Sequence, residues 1–174
     1  MLSHLKKYEL LLASNSPRRR ELLAGLDIDY RVTALPEVDE SYPDTLSGEE
    51  IPLYISQEKA AAYRRFMKDN TLLITADTIV WLDGKVYGKP RDIADAKAML
   101  QALSGKTHTV ITGVTLTSLQ KQISFAVSTE VTFAALGDDE IDYYVEKYRP
   151  LDKAGAYGVQ AWIGYIGVTG LKGS

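Results

Sequence analysis

The sequence predicts a mixed α/β fold, a twisted sheet with flanking helices. Three observations carry this. Short apolar runs of strand length alternate with runs of helical pattern. Two long β-rich runs, 107–119 and 122–136, are separated by a tight connection, so the sheet contains a hairpin and is not purely parallel. The chain has 174 residues, 45% hydrophobic and 25% charged, enough for one domain spanning 1–174, or at most two small lobes sharing a cleft.

Each element has a local reason. Residues 9–13 form a short apolar run and read as a buried strand. Residues 17–24 read as a helix, with Ser16 as N-cap, Pro17 at the first helical position and Gly25 just past the end. Residues 29–34 give a second strand, and 36–43 an acidic loop. Ser47 and Glu50 have capping-box spacing and open a helix to about Lys68. Residues 71–76 form an apolar strand, and 80–87 a hairpin around Asp83-Gly84. Asp92 caps a helix running to Leu103, closed by Gly105. After the long hairpin, 138–148 make a helix with an acidic start, ended by Pro150. Residues 161–168 read as a late strand.

Composition removes whole classes of function. The sequence contains no cysteine, so disulfides, thiolate metal sites and a cysteine nucleophile are excluded. With only His4 and His108 it has no multi-histidine metal site. A net charge of −3 does not suit long nucleic acid. No apolar run approaches the ~20 residues of a membrane span, and no signal-peptide core is present, so a cytoplasmic location is expected. Gly105-Lys106-Thr107 resembles the end of a P-loop, but position 100 is Leu and the following segment is strand-like.

Charge sits in informative places. Arg18, Arg19 and Arg20 occupy the first turn of a helix, where cations are disfavoured unless an anion sits among them. With Ser14, Ser16 and the free N–H groups they would form an anion cradle; otherwise they are solvated, or pair with Glu21 and the acidic loop. Asp77 directly follows an apolar strand, where a carboxylate either faces the ligand crevice or makes an Asx turn or helix cap. Residues 37–41, Glu-Val-Asp-Glu-Ser, supply oxygen ligands suited to Mg²⁺ or Mn²⁺, or are simply solvated. Lys89 is pinned between Gly88 and Pro90, either to reach a phosphate or as a surface turn. Residues 151–160 are rich in small side chains and read as a loop whose backbone closely approaches something. His108, in a β run, reads as a satisfied structural histidine.

Together these segments resemble the Maf nucleotide pyrophosphatases. Ser14-Asn15-Ser16-Pro17-Arg18-Arg19-Arg20-Glu21-Leu22-Leu23 is similar to the family's opening signature. Asp39-Glu40-Ser41, Glu58-Lys59-Ala60, Ala76-Asp77-Thr78, Gly88-Lys89-Pro90, residues 104–108 and residues 152–160 follow in family order. The resemblance implies a metal-dependent enzyme cleaving nucleoside triphosphates between the α and β phosphates. It implies the two-lobed, inosine triphosphatase-like (Maf/Ham1) fold with the site in the cleft, and members that are often homodimers. By resemblance, Asp77 is the catalytic carboxylate, as base or metal ligand, and Glu40 helps it hold Mg²⁺ or Mn²⁺. Lys59 and Lys89 match the catalytic-site lysines, and Ser14, Arg18 and Arg19 the phosphate-loop positions. Arg18, Thr78 and Gln160 fall where the family sets base specificity.

The form of residues 152–160, with the Ser-Pro-Arg-Arg opening, resembles the subgroup acting on dTTP and UTP. The 7-methyl-GTP subgroup carries Glu where this chain has Gln160. A non-catalytic nucleotide sensor involved in septum formation is the alternative from another class. The intact set of Glu40, Lys59, Asp77 and Lys89 favours the enzyme. The family pattern continues beyond Ser174 with an aromatic-Asn-Val-x-Gly-Leu-Pro stretch and a terminal helix that this sequence does not include.

Overall fold

The computed structural model describes residues 3–34 and 38–173. The elements run β1 (Glu9–Ala13), α1 (Pro17–Ala24), β2 (Arg31–Thr33), α2 (Glu50–Tyr63), β3 (Thr71–Leu82), β4 (Lys85–Tyr87), α3 (Ile93–Leu103), β5 (Thr107–Thr117), β6 (Gln122–Phe133), α4 (Asp138–Tyr148), α5 (Trp162–Gly167) and β7 (Val168–Gly173). The sheet has seven strands in the order β2-β1-β3-β5-β6-β7, with β4 also paired to β3. β1 lies parallel to β2 and β3, whereas β4 and β7 run antiparallel to their partners. The mixed α/β expectation is therefore met.

The chain divides into two compact units, Met1–Asp77 with Thr112–Ala126, and Thr78–Ile111 with Val127–Ser174. In the first unit, Ala13, Ala60 and Leu73 are buried together between α2 and the parallel strands. In the second, Leu100 and Leu103 of α3 pack with Ile141 and Val145 of α4 and with Val131 and Phe133 of β6. These apolar positions recur at helical spacing on α3 and α4 and at alternate positions on β6, so one face of each element is removed from water.

Local chemistry sets several boundaries. Ser16 accepts the Arg19 N–H on its side chain, and Pro17 opens α1, as expected. Asp92 accepts the Asp95 N–H and caps α3. The Gly137 N–H donates to Glu140 at 2.8 Å and closes the first turn of α4. Ser118 N–H donates to the Lys121 carbonyl at 2.8 Å, making the tight β5–β6 connection.

Four expectations are corrected. The second strand is only Arg31–Thr33, shorter than 29–34. Ser47 donates its N–H to Glu50 at 3.0 Å, but α2 starts at Glu50 and ends at Tyr63, followed by a 3₁₀ turn at Arg64–Phe66 instead of helix to Lys68. β3 does not stop at residue 76; it continues through Asp77 to Leu82. On one edge its partner passes from β1 along Thr71–Ile74 to β4 along Val80–Leu82, while β5 is its neighbour on the other side. Residues 162–167 are helix, not strand. Ile163 and Gly167 are buried at i, i+4 spacing, and Gly164 lets the helix approach Val159, whose carbonyl oxygen would lie 1.8 Å from a Cβ there.

Candidate active site

β1 ends at Ala13, and the chain turns into α1 through hydroxyl-built bonds. Ser14 Oγ accepts the Ser16 N–H at 3.2 Å, and Ser16 Oγ accepts the Arg19 N–H at 3.4 Å. Ser14 is buried. The three arginines then diverge. Arg18 is half-exposed and pairs with Glu21 at 3.3 Å, the alternative that the sequence left open. Arg19 turns inward and donates from Nη1 to the Ala76 carbonyl at 2.8 Å. Burial holds its guanidinium below the ordinary value, opposed by the negative charges of Asp77 and Glu40. Arg20 folds back and donates to the Ser14 carbonyl at 3.3 Å. Arg20, read with its neighbours as part of an anion cradle, instead braces the loop through this bond.

Asp77 lies mid-strand but just beyond the parallel pairing. Leu12 is opposite Ile74, and β1 ends one residue later while β3 continues. Asp77 thus emerges past the C-terminal end of β1, where parallel α/β sheets place ligands. It is 8% exposed, and Lys59 on α2 is 4% exposed. Lys59 Nζ donates to Asp77 Oδ1 at 2.8 Å and pairs with Glu40 Oε1 at 2.9 Å. One ammonium is thereby shared by two carboxylates, with the Arg19 guanidinium close enough to feel both. The rest of the acidic loop does something else. Glu37 lies outside the described residues. Asp39 accepts both the N–H and the hydroxyl of Ser41 at 2.9 Å, which holds its carboxyl below the ordinary range.

The position of Lys59 depends on how α2 meets the sheet. A Cβ at Gly113 on β5 would lie 2.4 Å from the Pro52 carbonyl carbon, so only glycine permits this approach. One turn before Lys59, Ser56 Oγ shares a hydrogen bond of 2.7 Å with Thr115 Oγ1. Thr75, two residues before Asp77, donates to the Ser56 carbonyl at 2.7 Å. Lys59 and Asp77 are thus tied through a buried hydroxyl ladder that the sequence did not signal.

The remaining expected residues, Thr78, Lys89 and Gln160, belong to the second unit. Thr78 is half-buried on β3, and Lys89 sits at the bend after β4. The Gly155 N–H donates to the Gly88 carbonyl at 3.0 Å, stitching residues 152–160 to the Lys89 turn. Gly155 has φ +65°, and a Cβ there would lie 2.8 Å from Val80, so the close backbone approach read from the small residues is present. The Lys153 ammonium bonded to Asp152 holds that carboxyl below its ordinary range, and Lys89 adds to the effect. Gln160 is exposed. His108 is buried with Nε2 2.6 Å from the Tyr157 hydroxyl, but its Nδ1 has no partner among the described residues, so it is only half satisfied.

Do these residues fit a divalent cation? Glu40 and Asp77 already converge on one positive centre. Among the described residues no group of three His, Asp or Glu side chains gathers. Two hard carboxylates leave most of the coordination sphere to water and phosphate oxygens, which is how Mg²⁺ is commonly held. The donor set fits.

A mixed-sheet α/β protein with an acid–base cluster at the end of its parallel strands, beside an arginine-bearing helix start, carries its charge where folds of this class take ligands. The particular lineage follows from comparison. The family model described as Maf-like protein matches residues 9–174, and the chain belongs to the Maf family. It is 64% identical over 174 residues to a dTTP/UTP pyrophosphatase of Phocaeicola vulgatus, covering 100% of this chain and 90% of that one. It is 62% identical to a dTTP/UTP pyrophosphatase of Bacteroides thetaiotaomicron with the same coverage. For one of Porphyromonas gingivalis the identity is 53% over 176 residues, covering 100% and 88%. The Ham1 protein of Staphylococcus aureus shares the fold at TM-score 0.52 and 19% identity, covering 91% of this chain and 90% of that one. A HAM1 protein from Coxiella burnetii does so at TM-score 0.51 and 14% identity, covering 74% of each.

Proposed function

We propose that this protein hydrolyses dTTP and UTP to the nucleoside monophosphate and pyrophosphate, by attack of water on the α-phosphorus. The observation that carries the reading is the Lys59 ammonium shared between Asp77 and Glu40 beside Arg19. The names of the full-length relatives support the substrate class.

A triphosphate carries about four negative charges, so cleavage needs charge neutralisation and an aligned nucleophile. Glu40 and Asp77 are the residues that would hold Mg²⁺ or Mn²⁺, which supplies charge neutralisation and a more acidic water. In this reading Asp77 orients the attacking water and accepts its proton. Lys59 keeps the two carboxylates together and offers its N–H groups to phosphate oxygen. Ser14, Arg18 and Arg19 bind the phosphate tail, with Lys89 serving the same charge. Thr78 contributes to base selection with Arg18. Gln160 offers both an amide donor and an acceptor, suited to the O4/N3 edge of uracil or thymine. A site that pairs with that edge penalises bases that leave it unpaired. The same reading places the protein in the cytoplasm, on free nucleotides rather than on long nucleic acid.

The test is a panel of nucleoside triphosphates with Mg²⁺, resolving pyrophosphate from orthophosphate. Pyrophosphate from dTTP and UTP, with little from purines, is expected. Orthophosphate alone would mean the attacked phosphorus is misassigned, and binding without turnover would return weight to the sensor.

A further inference from the structure

Gln160 stands at the end of a segment that the second unit holds rigidly from within. Tyr157, three residues earlier, is buried, and its hydroxyl lies 2.6 Å from His108 Nε2. The two rings meet edge to face with centroids 5.4 Å apart, and Phe133 packs on Tyr157 at 4.9 Å. The Gly158 N–H bonds the hydroxyl of buried Tyr144, whose pKa burial pushes up to about 12. The Ala161 N–H donates to the Gly158 carbonyl at 2.9 Å, closing a turn that leaves Gln160 exposed at its third position. Gly164 presses on Val159 from behind. Residues 157, 158 and 159 are each fixed, and Gln160 projects from them.

The polar pair beneath this turn is a poor stability device. His108 is buried and leaves Nδ1 unpartnered among the described residues, and an apolar pair of the same shape would avoid that desolvation penalty. Just before Tyr157, buried Ala156 holds φ +60°, a left-handed conformation that a residue with a Cβ adopts only when its surroundings impose it. A strained backbone and a half-satisfied imidazole converge on one short turn. What they secure is its geometry.

We propose that His108 is a positioning residue for base selection: its hydrogen bond to Tyr157 fixes the turn that presents Gln160 to the base of the nucleotide. The inference rests on the reading of Gln160 as the base-contacting group, and the experiment separates the two. Four proteins are compared with the parent: Gln160→Ala, Tyr157→Phe, His108→Gln, and the double variant His108→Leu/Tyr157→Phe. For each, kcat and KM are measured with dTTP and with dGTP, and the melting temperature is recorded.

Gln160→Ala is expected to lower the dTTP-to-dGTP ratio of kcat/KM. Tyr157→Phe and the double variant are expected to lower that ratio about tenfold through KM for dTTP, with kcat for dTTP within about twofold, as a misplaced contact does. His108→Gln, which keeps a hydrogen-bonding atom near the Nε2 position, is expected to retain the ratio. The double variant removes the unpaired polar atoms and is expected to melt close to the parent. If Gln160→Ala collapses the ratio while Tyr157→Phe and the double variant keep it, the pair is only structural and the inference falls alone. If Gln160→Ala itself keeps the ratio, the base-reading assignment falls and takes this inference with it.

Discussion

Lys59 and Asp77 form a nearly water-free ion pair at 2.8 Å, and the same ammonium reaches Glu40 at 2.9 Å. Breaking a buried pair by removing one partner is costly because the other charge stays behind. Lys59→Ala is therefore expected to lose about 3–5 kcal/mol in EDTA, on the order of 10 °C of melting temperature. Because a divalent cation can replace the lost positive charge between the two carboxylates, Mg²⁺ should raise the melting temperature of Lys59→Ala more than that of the parent. Thermal melts with and without Mg²⁺ check this. Equal stabilisation of both proteins would show that the carboxylates do not share a cation.

Gly113 sets how closely α2 approaches the sheet. A methyl group there meets the Pro52 carbonyl carbon at 2.4 Å, backbone that cannot rotate away. Gly113→Ala is expected to cost about 1–3 kcal/mol by overpacking. Lifting α2 also moves Lys59, so turnover should fall further than the lost stability explains. Urea denaturation and kcat, both measured below the melting transition, separate the two effects. A variant that is destabilised but fully active would show that the Lys59 geometry tolerates the shift.

His108 gives a signature in pH. Burial pushes its pKa down to about 4 from the ordinary 6.5. The unfolded chain takes up the proton first, so this group's contribution to stability is complete above pH 6.5 and is lost as pH falls from about 6.5 through 4. Asp39, Asp95 and Asp152 also have lowered pKa values, but their contributions disappear only lower, as pH falls through the carboxylate range. Urea midpoints between pH 7 and 4.5 should fall for the parent and stay flatter for His108→Gln. Parallel curves would remove His108 as the cause.

The first strand and α1 were legible because their signals are local. Ser16, Pro17 and Gly25 mark α1 within a dozen residues, and the cap bonds form as read. Ala76-Asp77-Thr78 looks like a strand end, but the strand continues past Asp77, flanked by β5 in the sheet and paired with β4 along Val80–Leu82. Residues 162–167 have an apolar content that suits a strand, and the contact of Gly164 with Val159 accompanies the helix instead.

At the candidate site, the carboxylates and lysines were readable as charges in awkward places. Their mutual distances were not, since Lys59 and Asp77 are 18 residues apart and meet through α2. The Ser56, Thr75 and Thr115 ladder left no trace, because buried hydroxyls on a helix and a strand look like surface ones until their partners are placed.

Attack at the α-phosphorus fixes which product carries the oxygen of the attacking water, so isotope position decides it. The protein is incubated with dTTP and Mg²⁺ in ¹⁸O-water, and the products are separated and weighed by mass spectrometry. One ¹⁸O in dTMP and none in pyrophosphate is the expected result. Label in pyrophosphate, or release of orthophosphate in its place, would contradict attack at that phosphorus.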